Sequence, residues 1–289
     1  MSSEASAEEP YILATPMKNE SEMIDGLVDT VLSQTIRPSL WVVVDDSSSD
    51  DSYDKMERVA RDHDWVALVS KKASSLDVWL RYGEAVDHGV RKGSEYASKK
   101  GVQFTRIGVL DADTVLEPQY FERLAEAMSA NRGAAIATGL IVSEQDPHLK
   151  GAALPRGCAR LYDRRFLQEV GGFPITPSPD TVLEIKAQNR GYEVVIDPRP
   201  RGVHKRATDY RKDYNGMKLT GKCHYCLGTG LMTAMALAAA RIPHWGLMNS
   251  FAFLFGYVEG MSAKHERVND REVQEYFSSQ LKNRLLGVI

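Results

Sequence analysis

The sequence predicts an α/β fold, an open sheet built from strand, helix, strand units. Short apolar runs recur at "YILAT" (11 to 15), "LWVVVD" (40 to 45), "WVALVS" (65 to 70) and "RIGVL" (106 to 110). They are apolar on successive residues, the pattern of strands buried on both faces. Helix-patterned segments separate the runs, and acids gather where two of them end, at Asp45, Asp46, Asp111 and Asp113. A chain of 289 residues is long enough for one large α/β domain. The expected organisation is a disordered lead over 1–10, an α/β domain over 11–206 and a helical extension over 207–289.

After the first strand, Met23, Ile24, Leu27, Val28, Val31 and Leu32 recur at helical steps, with Asn19 and Glu22 as a capping box. Strand, helix, strand in this order is a right-handed crossover. A helical stretch over 53–62 leads to the third strand, and one near 84–99 leads to the fourth. A helix then runs from after Pro118 to Ala130, and "AAIATGLIV" (134 to 142) is a strand. "RRFLQEVGGF" (164 to 173) ends a helix on paired glycines. "PDTVLEIKAQNRGYEVVID" (179 to 197) reads as an acid at a helix start, a helix, a stop near Gly191 and a strand.

From about 207 the character changes. "CLGTGLMTAMALAAA" (226 to 240) and "WGLMNSFAFLFGYV" (245 to 258) are apolar but too short to span a bilayer. Lys205, Arg206, Arg211, Lys212, Lys218 and Lys222 precede them. Two readings stay open: a segment lying on an anionic membrane surface, or a hairpin packed on the domain or forming a homo-oligomer interface.

Composition excludes several classes. With 36 basic and 39 acidic residues the net charge is −3, so there is no electrostatic footprint for nucleic acid. Three cysteines, Cys158, Cys223 and Cys226, make no disulfide framework and suit a reducing compartment. "CHYC" (223 to 226) lacks the second ligand pair of a structural zinc site. "MSSEASAEEP" has no secretory pattern. The expected location is cytoplasmic, with peripheral contact on the inner face of the cell membrane as the variant.

"VLDADTVLEP" (109 to 118) puts two carboxylates one residue apart at a strand end. Oxygen donors there suit Mg²⁺ or Mn²⁺; a solvated turn and a phosphatase-type Asp nucleophile are the alternatives. The phosphatase reading wants the string on the first strand and a later "GDxxxD", and neither is found. "VVVDDSSSDDS" (42 to 52) supplies a second acidic strand end, and ligands of open α/β sheets lie beyond such ends.

With "TPMKNE" (15 to 20), "LSQTIRP" (32 to 38), "VGGFP" (170 to 174), "PDTVLEIKAQNRGYEV" (179 to 194) and "VHKR" (203 to 206) in order around these strings, residues 11–206 resemble the family 2 glycosyltransferases. These are inverting enzymes of the GT-A fold, a Rossmann-like mixed sheet flanked by helices. The resemblance implies transfer of a sugar from a nucleotide-diphosphate sugar to an acceptor hydroxyl on a sugar, a polysaccharide or a lipid-linked carrier, with Mn²⁺ or Mg²⁺.

It also implies roles. Asp46 holds the base, and Pro16 and Glu20 line the nucleotide pocket. Asp113 binds the metal, Asp111 contacts the ribose or a metal-bound water, and His204 is a further ligand. Asp180 is the general base, preceded by Pro179 where the family usually has an acid, and a helix N-cap is its plain alternative. In "ASSLDVWLRYGEAVDHG" (73 to 89) the family pattern is blurred, with Arg81 and Gly83 standing in the donor segment. Arg156, Gly157, Gly171 and Gly172 form an acceptor floor, or the glycines merely end a helix. A sugar-phosphate nucleotidyltransferase would show a Gly-rich basic loop near the N-terminus, which "TPMKNE" is not. The retained acids speak against a degenerate sugar-nucleotide-binding protein.

Overall fold

The computed structural model describes residues 10–72, 74, 76–144, 153–206 and 213–285. Most of the lead, with Arg211 and Lys212, lies outside the described residues. The chain divides into two compact units, Met1–Ile175 with Arg190–Arg206, and Thr176–Asn189 with Ala207–Ile289.

The first unit begins with β1 (Tyr11–Met17), α1 (Ile24–Leu32), β2 (Leu40–Asp45), α2 (Ser52–Asp62), β3 (Val66–Ser70), α3 (Val78–Lys100) and β4 (Arg106–Leu110). It continues with β5 (Thr114–Leu116), α4 (Tyr120–Ala130), β6 (Ala134–Ser143), β7 (Ala153–Leu154), β8 (Ala159–Asp163), α5 (Arg164–Glu169) and β9 (Glu193–His204). The sheet order is β3-β2-β1-β4-β8-β6-β9-β5, with β7 on β6. β1 to β4 are parallel, β8 runs against both β4 and β6, and β5 runs against β9. It is therefore the mixed sheet flanked by helices that the resemblance implied.

The centre of the parallel half is buried because its strands are mainly apolar: every residue of β2 is buried, Asp45 at its end included. Two of its buried polar groups satisfy each other, since Trp41 Nε1 donates to Thr15 Oγ1 at 3.0 Å. Pro16 sits inside β1 without cost, because β1 pairs with β4 only through Ala14, so the missing N–H faces no partner strand there.

Two expectations are corrected. The Asn19 and Glu22 capping box does not form: α1 starts at Ile24 with no side-chain cap. Asn19 has φ 53, and its Oδ1 accepts from the Ser49 N–H at 2.8 Å, so it pins the loop after β2. The helix expected near 84–99 is longer, Val78–Lys100, because Gly83 hid its first turns from the helical pattern.

The second unit is helical, with α6 (Pro179–Asn189), α7 (Tyr214–Cys226), α8 (Leu231–Ser262) and α9 (Arg271–Leu285). α8 carries Pro243 and is broken at Gly246 (φ 76, ψ 161), so the two apolar stretches are arms on either side of a kink. Val182 and Ile185 of α6 pack with Leu227, Val273 and Phe277, and Lys186 reaches Asp270 at 2.6 Å.

Candidate functional site

Parallel pairing of β1 with β2 and with β4 brings their carboxyl ends to one edge of the sheet. Asp45 and Asp46 follow from β2 and Asp111 from β4, so the acids do share an edge. Their surroundings differ. Asp45 accepts from the Ser48 N–H at 3.2 Å and so serves its own loop, where Ser47 has φ 59.

Asp46 is buried and ion-paired: Lys71 Nζ lies 2.8 Å from its Oδ1 and Lys18 Nζ 3.7 Å from its Oδ2. Lys71, just past β3, also meets Glu84 of α3 at 2.9 Å. Burial works against the Lys71 ammonium, but hydrogen bonds to Asp46 and Glu84 outweigh it and hold its pKa above the usual lysine value.

Asp111 and Asp113 occupy the short turn between β4 and β5. Asp111 N–H donates to the Cys158 carbonyl at 2.8 Å, and Tyr82 Oη donates to Asp111 Oδ1 at 2.8 Å. The ladder of β5 with β9 pairs Thr114 with His204, and Lys205 N–H donates to the Asp113 carbonyl at 2.9 Å. This register sets His204 Nε2 3.3 Å from Asp113 Oδ1. Burial would lower the His204 pKa, but the Asp113 carboxylate outweighs it and raises it; burial pushes Asp113 up, and His204 and Arg206 hold it below the usual range. Burial lifts the nearby Cys158 thiol to about 12, so it stays protonated.

Glu20, just past β1, pairs with Arg206, just past β9. Burial pushes its carboxyl up to about 7, against the pull of Arg206 and with a further push from Asp113. Pro16 lies in β1, beside Met17, whose carbonyl accepts from the Asp46 N–H at 2.9 Å. The structure thus brings Asp46, Asp111, Asp113, His204, Glu20 and Pro16 to one end of the sheet.

Arg81 lies in α3 and donates from Nε to the Leu76 carbonyl at 3.0 Å, which ties it to its own loop. Arg156 and Gly157 precede β8, and the Arg156 carbonyl accepts from Arg160 Nε at 3.2 Å. Gly171 and Gly172 follow α5 with φ 89 and 101, a left-handed stop that glycine adopts without strain. Asp180 is carried by α6 of the second unit. With Pro179 as the first helical residue, Asp180 falls inside the first turn and not at the cap.

Sequence reasoning missed Lys71, Glu84 and Tyr82 as partners of the acids. Tyr82 and Glu84 fall in the blurred "RYGEAVDHG" segment, the only signal that could have flagged them.

Among the described residues no group of three His, Cys, Asp or Glu side chains is placed to hold a metal. Asp113 and His204 offer two donors, a carboxylate and an imidazole. The imidazole is oriented, because its Nδ1 donates to the Arg206 carbonyl at 2.9 Å and leaves Nε2 toward Asp113.

The family model "Glycosyl transferase family 2" matches residues 13–177. No curated protein sequence matches the chain. Among solved structures, the mannosyltransferase PcManGT from Pyrobaculum calidifontis, in complex with GDP-Man and Mn²⁺, aligns with TM-score 0.55 and 14% identity over 98% of this chain and 82% of that one. S. aureus TarS 1-349 in complex with UDP-GlcNAc aligns with TM-score 0.54 and 12% identity, over 96% and 75%. GalNAc-T7 with UDP, GalNAc and Mn²⁺ aligns with TM-score 0.53 and 12% identity, over 89% and 57%. At such identities the likeness is one of fold.

Proposed function

Because this chain belongs to glycosyl transferase family 2 and is a glycosyltransferase, we propose that it moves a sugar, with inversion, from a nucleoside diphosphate sugar to an acceptor hydroxyl, assisted by Mn²⁺ or Mg²⁺. The observation that supports this reading best is the Asp113 and His204 pair at 3.3 Å. With Nδ1 bonded to a carbonyl, Nε2 meets the carboxylate either with a second proton or across a cation. Hard divalent cations take one or two protein ligands and complete their shell with substrate phosphates and water, so two donors fit such a site. When bound, the metal stabilises charge on the departing diphosphate. The GDP-Man, UDP-GlcNAc and Mn²⁺ of the structural neighbours support the same donor class without choosing the base.

The chain's own residues do the rest. Asp46, held by Lys71, accepts from the base edge; Pro16 and Glu20 line the nucleotide, and Arg81 contributes to the donor segment. Asp111, fixed by Tyr82, contacts the ribose or a metal-bound water. Asp180 takes the acceptor hydroxyl's proton as the oxygen bonds the anomeric carbon, and the bond from that carbon to the diphosphate breaks on the opposite face. Arg156, Gly157, Gly171 and Gly172 form the acceptor floor, for a sugar or a lipid-linked acceptor.

Calorimetric titration of GDP and UDP with and without Mn²⁺, paired with a transfer assay, tests this. Asp113→Asn should abolish the Mn²⁺-dependent part of nucleotide affinity with the fold intact. Asp180→Asn should leave that affinity alone and slow transfer by about 10²–10⁴. An Asp113→Asn protein with unchanged Mn²⁺ dependence would overturn the metal assignment, and wild-type transfer by Asp180→Asn would overturn the base.

A further inference from the structure

The α7 and α8 pair of the second unit sorts many of its apolar residues against the usual order. A helix pair in water buries its large apolar side chains in the helix contact and turns polar ones outward. Here α7 and α8 touch through small residues: a Cβ on Gly221 would fall 1.9 Å from the Phe253 carbonyl oxygen, and one on Gly256 1.8 Å from that of Lys218. Ala234, Ala238 and Ala252 are buried in the same cluster, with Met217 of α7 and Phe253 and Tyr257 of α8 filling the space beside them. The large side chains left over point outward. Met232 is 70% exposed, Met248 69%, Phe251 59% and Phe255 54%. Small residues between helices and bulky apolar ones outside is the arrangement that pays when the surroundings are lipid.

Charge points the same way. Within Leu231–Ser262 the one acid, Glu259, is neutralised by Lys218 at 2.7 Å and Lys222 at 2.8 Å. Lys218 Nζ also stands 4.9 Å over the Phe255 ring, and Arg241 lies 5.3 Å from the Trp245 ring, so cations are rooted in the apolar face itself. Lys218, Lys222 and Arg241 against Glu259 leave that face net positive. Its kink at Pro243 and Gly246 divides α8 into arms of about 18 Å and about 24 Å at 1.5 Å per residue, short of a hydrocarbon core of about 30 Å. No described helix is long and apolar enough to cross a membrane.

We propose that the outer face of α8 lies in the plane of an anionic phospholipid bilayer, its methionines and phenylalanines in the interfacial region and its lysines and arginine among the headgroups. A second copy of the chain would set the same cations against each other, whereas an anionic leaflet supplies the opposite charge. The inference stands on the second unit alone and does not rest on the metal or base assignments.

Flotation of the full chain with vesicles of phosphatidylcholine, or of phosphatidylcholine with phosphatidylglycerol, is the test. The expected result is roughly tenfold or greater preference for the anionic vesicles, lost in about 1 M salt. The pair Met248→Glu and Phe251→Glu, at exposed positions that leave the helix contact alone, should abolish flotation while the circular dichroism and melting temperature stay unchanged. The proposal is overturned by no flotation with anionic vesicles, by equal flotation with both kinds, by flotation that survives the paired substitution, or by a lipid-free dimer that the same pair dissolves.

Discussion

Asp46 and Asp113 are both carboxylates that border a strand, yet the fold treats them in opposite ways. Asp46 is closed off by a lysine that is itself half-buried, whereas Asp113 faces an imidazole whose second nitrogen is fixed. Lys71 bridges two acids, and its side chain is only 9% exposed. Removing it would leave Asp46 with only the longer Lys18 contact at 3.7 Å and take from Glu84 its lysine partner, so Lys71→Met should cost about 3 kcal/mol of stability by urea denaturation. Glu84→Gln should cost clearly less, because Lys71 keeps Asp46. A loss for Lys71→Met under 1 kcal/mol, on the order of a surface pair, would show that water already screens the site. The acids and His204 were legible because they stand in short strings at strand ends. Lys71, Tyr82 and the Glu20 to Arg206 pair were not, since these partners lie 25, 29 and 186 residues from the groups they touch. A lysine after a strand looks in sequence like any solvated residue, and only the fold decides otherwise.

At the scale of elements, what was legible depended on whether a segment carried its own pattern. β2 and β4 fall where continuous apolar runs placed them. β9 is harder to read because it crosses Pro198 and Pro200 and holds its parallel pairing with β6 only through two register shifts. Three-residue β5, too short to carry any periodicity, exists because β9 offers it a partner. Glycines mark a similar divide between local and tertiary causes. Gly256 is required by the crossing with α7, where a Cβ would strike backbone that cannot yield, so Gly256→Ala should destabilise the second unit by about 1–3 kcal/mol. Gly26, inside α1, has space: a Cβ there would sit 3.6 Å from Val115 Cγ2, an ordinary contact. Gly26→Ala should therefore stabilise by about 0.5–1 kcal/mol through helix propensity and lost chain entropy. Chemical denaturation of both variants checks the opposite signs; equal signs would mean that the α7 and α8 crossing yields enough to admit a methyl group.

For the molecule as a whole, each unit has its own core, so acid need not weaken both alike. His224 sits in the second unit, with its ring edge-on to Phe253 at 5.1 Å and to Phe277 at 6.0 Å, and its Nδ1 3.0 Å from Thr229 Oγ1. Burial, helped by Arg241, lowers its pKa to about 4. The unfolded chain takes up this proton near pH 6.5, whereas the folded unit refuses it until about pH 4. Above 6.5 the two states bind equal numbers of protons and His224 contributes no slope. Between 6.5 and 4 the unfolded state binds more, so stability falls as pH falls, by about 1.4 kcal/mol per pH unit at the steepest. The ring keeps partial exposure, which trims the total to about 2–3 kcal/mol. Asp270, held below the usual carboxylate range against its burial by Lys186, adds a further loss at lower pH still. His224→Gln, neutral throughout and able to keep a hydrogen bond to Thr229, separates the two contributions. Its melting temperature should decline less than that of wild type between pH 7 and 4.5, whatever its value at pH 7. Parallel declines in the two proteins would show that His224 is protonated in the folded state and that the acid sensitivity of the second unit lies elsewhere.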